Sequence, residues 1–552
     1  MTRGLLLVVL PILAAAQTTR PDDLAAVAGR VNNAATGEPL RKVTLTLRRT
    51  DGGGPGGPAG PRSYTATSDS AGAFLIPGVE PGQYRLSARR TGFVDLDYGT
   101  QDYLHAGSTL KLSAKQKLDN LQIAMQPGAV IAGKVVDEDG DPMAGLQVEA
   151  FRYRYTQGKK QLTSYGTGTT NDIGEYRVPG LPAGRYYLAV TPQRGGWGNG
   201  RFGRPAQTPA EAEEYVRTFY PGTTDAGAAA PLEATPGAQL SRIDLAVARK
   251  RTVSVRGRVT DASGTAAQQG GRTRVTVSLR PHDLGGAGST RSAMVDSAGN
   301  FEIRGVVAGS YDLVAAIASR DAALSARIPV EVGHASIDNL RVTINPPLTL
   351  SGSVRLDGKP ATSLAGMQVS LRRTDTVGPF SGGTLTAKTA DDGAFSISGV
   401  NPDRYTLSLT GAPDGSYVKS VRLGGQEASL AGLDLARAGG SLEILLSPTA
   451  GTVTGLVQND QQQPAAGASV VLIPQEPERR DQAQYYKTAT ADDAGQFTLK
   501  NISPGQYRVY AWTEIESGAY MDPDVIRPVE NRGEPVTVKD SDVETVQVKL
   551  IG

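Results

Sequence analysis

The chain has 552 residues, with 57 Lys and Arg against 55 Asp and Glu, 67 Gly, 3 His and no Cys. Without cysteine it has no disulfide, no thiolate nucleophile, no cysteine-ligated zinc or iron–sulfur site and no thiol-linked lipid anchor. A net charge of +2 argues against nucleic-acid or membrane-surface binding through bulk electrostatics, and the scarcity of histidine favours a protein without catalytic activity.

The N-terminus predicts a secretory signal peptide over residues 1–16. A short basic start is followed by an apolar run from Leu5 to Leu13 and by three alanines, the small residues that a signal peptidase requires. This run is well short of the ~20 residues that span a bilayer. We therefore expect an exported protein that is periplasmic, on the outer surface or secreted, with no transmembrane segment in the mature chain.

Five copies of one pattern follow in chain order. In each copy, the glycine of a Gly-x-aromatic is followed ten residues later by Gly-x-Tyr or, once, Asp-x-Tyr. The ten aromatic markers are Phe74, Tyr84, Tyr176, Tyr186, Phe301, Tyr311, Phe395, Tyr405, Phe497 and Tyr507. Upstream of each pair, a glycine lies in a Val-rich segment, at Gly29, Gly133, Gly257, Gly352 and Gly455.

Within each copy the hydrophobic period is two, as in Val43-Leu45-Leu47, which predicts strands with one buried face. Short strands separated by Gly, Asp and Pro turns are typical of a β-sandwich. The predicted fold class is all-β, with five tandem Ig-like or transthyretin-like β-sandwich domains and one short helical insertion in the second. The predicted boundaries are 17–127, 128–249 with an aromatic insertion at 193–237, 250–346, 347–449 and 450–552.

The repeated residues have physical reasons. The turn before each Gly-x-aromatic, as at Asp69-Ser-Ala-Gly72, needs glycine where φ is positive. The Tyr of each Gly-x-Tyr (Asp-x-Tyr in the fourth copy) is placed like the tyrosine of a tyrosine corner. We therefore expect its hydroxyl to form a hydrogen bond with the backbone a few residues upstream. The ten markers are therefore interpreted as core residues.

Two blocks of the second copy resemble the carboxypeptidase regulatory-like domain, a transthyretin-like or Cna-B-like sandwich. They are Gly-Lys-Val-Val-Asp-Glu-Asp-Gly-Asp-Pro-Met-Ala-Gly (133–145) and Thr-Asn-Asp-Ile-Gly-Glu-Tyr-Arg-Val-Pro-Gly-Leu-Pro-Ala-Gly-Arg-Tyr (170–186). The resemblance extends over all five copies and implies an exported bacterial protein. In that family the module is an accessory domain beside a catalytic domain, and no such catalytic domain is recognisable here.

Motifs for catalysis or metal binding are missing or lack their context. None of His105, His282 and His334 has a Glu three residues on, as a zinc carboxypeptidase requires. Residues 128–134 match the start of a phosphate-binding loop, but Val135 stands where the magnesium-ligating Ser or Thr belongs. We therefore predict no enzyme activity, no catalytic residue, no metal site and no cofactor.

The aromatic insertion of the second copy is the candidate binding region. It contains Trp197, Phe202, Tyr215 and Tyr220, and a capping box at residues 208–211 predicts a helix that leads into residues 211–217. Exposed aromatics there would stack on sugar rings, as in carbohydrate-binding modules of similar fold. The favoured alternative is that they cover their own sandwich or the next one.

Two functions remain open. The first is a surface or periplasmic interaction and spacer protein, whose partner is a polysaccharide or a cell-surface protein and not a nucleic acid. The second is a carbohydrate-binding protein that uses the aromatic loops, and an accessory subunit of a separate peptidase or receptor is a more distant alternative. Short linkers such as residues 125–129 predict an extended array with limited bending.

Overall fold

The structure, a computed structural model, describes residues 24–50, 63–99, 108–156, 159–192, 212–262, 275–281, 290–318, 323–358, 364–374, 383–435 and 440–552. The predicted signal peptide, residues 1–16, lies outside these ranges. Strands dominate the described residues and occur in five successive groups, called modules 1 to 5 below, which confirms the all-β fold class. In these ranges no helix is both long enough and apolar enough to cross a lipid bilayer.

Module 1 has two sheets that face each other across one core. Its strands are β1 (Ala25–Asn33), β2 (Thr44–Arg49), β3 (Ser63–Thr67), β4 (Ala73–Val79), β5 (Gly82–Arg89), β6 (Leu96–Asp97), β7 (Leu110–Leu112) and β8 (Lys117–Met125). One sheet has the order β4-β1-β8 and the other β3-β2-β5-β6, with β7 also on β5. Strand β1 is antiparallel to β4 and parallel to β8.

Module 2 repeats this plan and adds the insertion after its fifth strand. Its elements are β9 (Ala129–Val136), β10 (Gln147–Thr156), β11 (Lys159–Thr169), β12 (Glu175–Leu181), β13 (Gly184–Thr191), β14 (Ala212–Tyr215), β15 (Thr218–Phe219), a 3₁₀-helix (Ala226–Ala228), β16 (Leu232–Ala234), β17 (Gln239–Leu240) and β18 (Leu245–Ala246). Strands β12, β17 and β18 flank β9, while β11, β10, β13, β15 and β16 form the second sheet.

Modules 3 and 4 follow with the same central strand in the first sheet. Module 3 has β19 (Arg249–Asp261), β20 (Val275–Pro281), β21 (Arg291–Met294), β22 (Asn300–Val306), β23 (Gly309–Ala318), β24 (Ala323–Val332) and β25 (Ile337–Ile344). Module 4 has β26 (Leu348–Leu356), β27 (Gln368–Arg373), β28 (Leu385–Lys388), β29 (Ala394–Val400), β30 (Arg404–Thr410), β31 (Tyr417–Leu423), β32 (Gln426–Glu427), β33 (Leu433–Asp434) and β34 (Leu442–Ser447). Strands β19 and β26 each lie between an antiparallel and a parallel neighbour.

Module 5 joins its two sheets and carries short helices on one outer face. Its elements are β35 (Gly451–Gln458), β36 (Ser469–Pro474), α1 (Pro477–Arg480), a 3₁₀-helix (Ala483–Tyr485), β37 (Lys487–Thr490), β38 (Gln496–Ile502), β39 (Gly505–Trp512), a 3₁₀-helix (Ala519–Met521), α2 (Pro523–Ile526), a 3₁₀-helix (Arg527–Arg532), β40 (Glu534–Val538) and β41 (Val543–Ile551). The strand order is β37-β36-β39-β41-β35-β38, with β40 on β39.

The two repeated landmarks of the sequence face each other across neighbouring strands. The cross-strand pairs are Gly29 with Phe74, Gly133 with Tyr176, Gly257 with Phe301, Gly352 with Phe395 and Gly455 with Phe497. A Cβ at any of these glycines would overlap the backbone carbonyl oxygen of the parallel segment on the other side, at Leu121, Ile243, Leu340, Leu442 and Val546 respectively. The glycine is required because the two backbones approach too closely for any side chain.

The repeated turn and the repeated Tyr have the predicted geometry. The turn glycines Gly72, Gly174, Gly299, Gly393 and Gly495 have φ between 72° and 87°. Each Tyr hydroxyl donates to the carbonyl oxygen four residues upstream, from Tyr84 to Glu80 at 2.9 Å, Tyr186 to Pro182 at 2.8 Å, Tyr311 to Val307 at 2.9 Å, Tyr405 to Asn401 at 3.0 Å and Tyr507 to Ser503 at 2.9 Å. The tyrosine-corner prediction is thereby confirmed in every module.

Each module buries its own apolar cluster, which contains that module's aromatic markers. Nine of the ten markers are at most 6% exposed, and Tyr311 is half-buried. Two smaller clusters lie on outer faces. The insertion covers one around Phe151 and Phe219 in module 2, and the short helices cover one around Tyr510 and Trp512 in module 5.

Candidate functional site

The insertion of module 2 forms a strand where the sequence predicts a helix. Strand β14 pairs antiparallel with the start of β19, from Ala212 opposite Thr252 to Tyr215 opposite Arg249. The helix predicted over residues 211–217 is therefore wrong, and the short helix that the insertion does contain lies later, at Ala226–Ala228. An open edge of β19 offers backbone partners, and this outweighs a weak local preference for helix. The capping box at 208–211 lies outside the described residues.

Two of the four candidate sugar-binding aromatics are described, and both are half-buried. Tyr215 accepts a hydrogen bond from Arg249 Nη2 at 2.9 Å, and the Arg249 guanidinium lies 4.6 Å from the centre of the ring. Tyr220 packs against the core of module 2. Trp197 and Phe202 lie outside the described residues. The described aromatics of the insertion thus make contacts within modules 2 and 3.

Arg217 fastens the insertion to the sheet beneath it. Its Nε donates to Thr191 Oγ1 at 2.8 Å, and its Nη2 lies 3.5 Å from Glu149 Oε1. Burial lowers the pKa of the Arg217 guanidinium, and the nearby Glu149 carboxylate opposes that change. Together with the buried Phe219, this contact makes the described part of the insertion a cover for its own sandwich.

Direct contacts join modules that are neighbours in the chain. Between modules 3 and 4, Arg373 Nη1 donates to Ser325 Oγ at 2.8 Å, and the Ser325 N–H donates to Asn401 Oδ1 at 3.3 Å. Between modules 4 and 5, the Gly415 N–H donates to Asn501 Oδ1 at 3.1 Å. These two junctions are therefore held by side chains as well as by the linker.

Modules 2 and 5, which are distant in sequence, also touch. Near the end of β10, the Tyr155 hydroxyl donates to Asp522 Oδ2 at 2.8 Å and the Tyr155 N–H donates to Glu516 Oε1 at 3.4 Å. Arg154 Nε lies 3.8 Å from the same Glu516 oxygen. Burial and the hydrogen bond to Asp522 raise the pKa of Tyr155. The chain folds back on itself, so the expectation of an extended array is wrong.

A cleft of about 500 Å³ lies between modules 4 and 5. Tyr417 of module 4 and Tyr485, Tyr486 and Lys487 of module 5 are among its lining residues. Sequence reasoning missed this site because its two walls are separated by most of a module. The run Gln484-Tyr-Tyr-Lys487, which places adjacent aromatics beside a cation, was the available signal.

The histidines do not assemble into a site in the described residues. His334 is exposed, and His105 and His282 lie outside the described ranges. Within those ranges, no three His, Asp or Glu side chains come together in a way that could hold a metal ion.

Two segments of the chain, residues 26–126 and 130–197, match the family model of the carboxypeptidase regulatory-like domain. A third segment, residues 450–539, matches the model of polysaccharide lyase family 4, domain II. No curated protein matches the sequence.

Several solved structures are similar to the chain at low identity. The TIE protein of Bacillus anthracis is 10% identical over 76% of this chain and 73% of that one, with a TM-score of 0.17. The major pilin subunit BcpA of Bacillus cereus is 11% identical over 76% and 99%, with a TM-score of 0.15. Two B repeat units of the collagen-binding protein of Staphylococcus aureus are 11% identical over 77% and 100%, with a TM-score of 0.13. At TM-scores this low, these likenesses carry no inference about function.

Proposed function

We propose, from the premise that this chain carries carboxypeptidase regulatory-like domains in tandem, that it is an exported, non-catalytic interaction protein. Its β-sandwich modules hold partner-binding loops at set positions, at the cell surface or in the periplasm. The observation that supports this proposal most is the contact between modules 2 and 5.

That contact restricts how the modules move. Tyr155 and Asp522 are 367 residues apart in sequence, and modules 3 and 4 lie between them in the chain. A hydrogen bond across that separation fixes the distance between the two ends of the segment. Loops on such a scaffold keep a constant geometry, which suits recognition of a large partner at several points at once.

A cysteine pair tests the scaffold, because the chain has no Cys of its own. We expect Arg154→Cys with Glu516→Cys to be joined within one chain by a short bismaleimide, since the wild-type side chains lie 3.8 Å apart. The matched control is Asp139→Cys with Glu516→Cys, in which the first site lies in a different, exposed loop of module 2. Equal cross-linking of both pairs, or none of the first, would contradict the folded-back scaffold.

Export is tested separately by fractionation of cells that produce the full-length chain. We expect a processed protein outside the cytoplasm, with protease added to intact cells distinguishing surface from periplasm. Recovery of an unprocessed chain in the cytoplasm would overturn this part of the proposal.

A carbohydrate-binding function is the second candidate. It is favoured by the match of residues 450–539 to a domain of a polysaccharide lyase family, and by the aromatic-lined cleft that this segment helps to form. In this alternative, Trp197, Phe202, Tyr215 and Tyr220 are additional candidate contacts for sugar in module 2.

Retention on immobilised polysaccharides tests this alternative. Binding by the wild type that Trp197→Ala abolishes would support the aromatic insertion as the site. Equal retention of both proteins would exclude the Trp197 contact, and retention of neither would contradict the alternative.

A further inference from the structure

The cleft between modules 4 and 5 has the dimensions of a small-molecule site. Its volume of about 500 Å³ falls within the range of roughly 300–1,000 Å³ that is usual for ligand pockets. Module 4 contributes parts of β30 and β31, and module 5 contributes residues 483–487 with Asn501 and Ser503. The site exists only where the two modules meet, and the hydrogen bond from Gly415 to Asn501 holds them together there.

One cation lines this cleft, and it has no counterion among the residues that the structure describes. Lys487 is the single Lys or Arg among the lining residues, which include no Asp or Glu, and the other ionisable groups are Tyr417, Tyr485 and Tyr486. The Lys487 ammonium group makes no hydrogen bond or ion pair with the described residues, and burial alone lowers its pKa. Because an ammonium that has lost part of its hydration is stabilised by a negative partner, an anion that enters the cleft supplies what the protein does not.

The fold places this lysine where modules 1 and 4 have apolar side chains and module 3 has Arg291. Lys487 begins β37 and stands opposite Leu472 of β36. At the same register position modules 1 and 4 have Tyr64 and Leu385, which pack against their cores. A cation at this position is therefore shared by modules 3 and 5, and Lys487 is distinguished by its place in the cleft between modules 4 and 5.

Aromatic rings and neutral polar groups make up much of the remaining wall. Tyr417 of module 4 and Tyr485 and Tyr486 of module 5 line the cleft, and the Tyr486 ring also packs in the cluster around Tyr510 and Trp512. The Tyr486 hydroxyl donates to the Arg480 carbonyl at 2.8 Å, which holds that ring in place. The amide nitrogen of Asn501 has no partner among the described residues, and hydroxyls of β30 lie nearby. Rings of this kind contact the C–H face of a sugar, and amides and hydroxyls bond to its hydroxyl groups.

We propose that this cleft binds a hexuronic acid residue, with its carboxylate on Lys487 and its ring against the tyrosines. A single cation matches a single carboxylate, whereas a phosphate or a heavily sulfated ligand is normally held by several cations. The proposal does not depend on the scaffold role, and it gives the carbohydrate-binding alternative a location and a class of ligand.

Calorimetric titration of the exported chain with galacturonic acid and digalacturonic acid tests the proposal, with galactose and acetate as controls. We expect the uronates to bind at least about tenfold more tightly than either control, because only they combine a charge with a sugar ring. Equal affinity for galactose would overturn the role of the charge, and equal affinity for acetate the role of the ring.

Three variants place the binding in the cleft. We expect Lys487→Met to weaken uronate binding by about tenfold or more and Lys487→Arg to retain most of it. Lys500→Met is the matched control, since Lys500 is exposed on β38 of the same module and does not line the cleft. Uronate binding that Lys487→Met leaves intact, or no binding by the wild type, would overturn the proposal. If either of these results were obtained while the chain was still retained on immobilised polysaccharide, sugar binding would reside outside this cleft. The cleft proposal and the carbohydrate-binding alternative can therefore fail separately.

Discussion

Three glycines of module 4 allow two reasons for requiring glycine to be distinguished. One reason is steric overlap where two strands approach closely, and the other is a backbone conformation with positive φ. A Cβ on Gly352 would overlap the Leu442 carbonyl oxygen and lie 2.9 Å from Phe395 Cε1. Gly399 has φ +76°, and no atom of the described residues lies within 4 Å of its Cβ position. Gly432 has neither constraint. Substitution of each by alanine should therefore give three different losses of stability.

The magnitudes follow from these contacts. The overlap at Gly352 involves backbone and costs about 3 kcal/mol, the upper end of the usual range, less the about 0.4–1 kcal/mol that alanine gains by restricting the unfolded chain. We expect Gly352→Ala to lower the free energy of unfolding of module 4 by about 2 kcal/mol. The left-handed conformation costs about 1–2 kcal/mol, so Gly399→Ala should lose about 1 kcal/mol. For Gly432→Ala we expect no loss.

Hydrogen exchange followed by mass spectrometry on the full chain measures these differences module by module. A loss of 2 kcal/mol should accelerate exchange in the β26 and β34 peptides by roughly 30-fold, and a loss of 1 kcal/mol by about fivefold. Peptides from β35 and β41 of module 5 serve as the internal reference. If Gly352→Ala exchanged like Gly432→Ala, the close approach of the strands would not be what requires glycine. A larger effect at Gly399 would assign the requirement to backbone conformation.

Three further predictions follow from the contacts. Tyr405→Phe removes the hydrogen bond to Asn401 and should lower the stability of module 4 by about 1–2 kcal/mol, seen as faster exchange in β30; unchanged exchange would contradict the tyrosine corner. Burial lowers the pKa of Lys487 in the folded state below its value in the unfolded state. Between these two pKa values the unfolded state binds more protons than the folded state. The free energy of unfolding of the wild type therefore increases as pH rises from the lower value to the higher one. Lys487→Met should therefore raise the melting temperature at pH 7, by an amount that shrinks above about pH 10.4, and an equal gain at both pH values would refute this. Tyr155→Phe removes the bond to Asp522 and should increase the radius of gyration in small-angle scattering; an unchanged value would show that the remaining contacts between modules 2 and 5 suffice.

The fold within a module could be predicted because its determinants are local in the pattern. Alternating apolar residues mark each strand, and each upstream glycine lies opposite the first aromatic marker of its copy, as Gly352 lies opposite Phe395. The positive φ of the turn glycine and the hydroxyl bond of the Tyr follow from the same few residues. Because these features occur five times in the sequence, their pattern is not a chance match. The domain boundaries remain a prediction.

Contacts between modules could not be predicted, because they depend on relative orientations that no periodicity encodes. Tyr155 has the pattern of an ordinary strand residue, and nothing near it in sequence points to Asp522. The cleft at Lys487 was missed for the same reason. At residues 211–217, local helix signals were outweighed by a strand edge that belongs to the next module.

The pairing of β14 with β19 has a consequence for how this chain can be rearranged in evolution. By sequence, β14 belongs to module 2, yet its hydrogen bonds complete a sheet of module 3. A duplication or deletion that cuts between the two would leave module 3 with an unpaired edge, which invites association with other chains. Modules 2 and 3 are therefore expected to be inherited as a pair, so the unit of recombination here is larger than the unit of repetition.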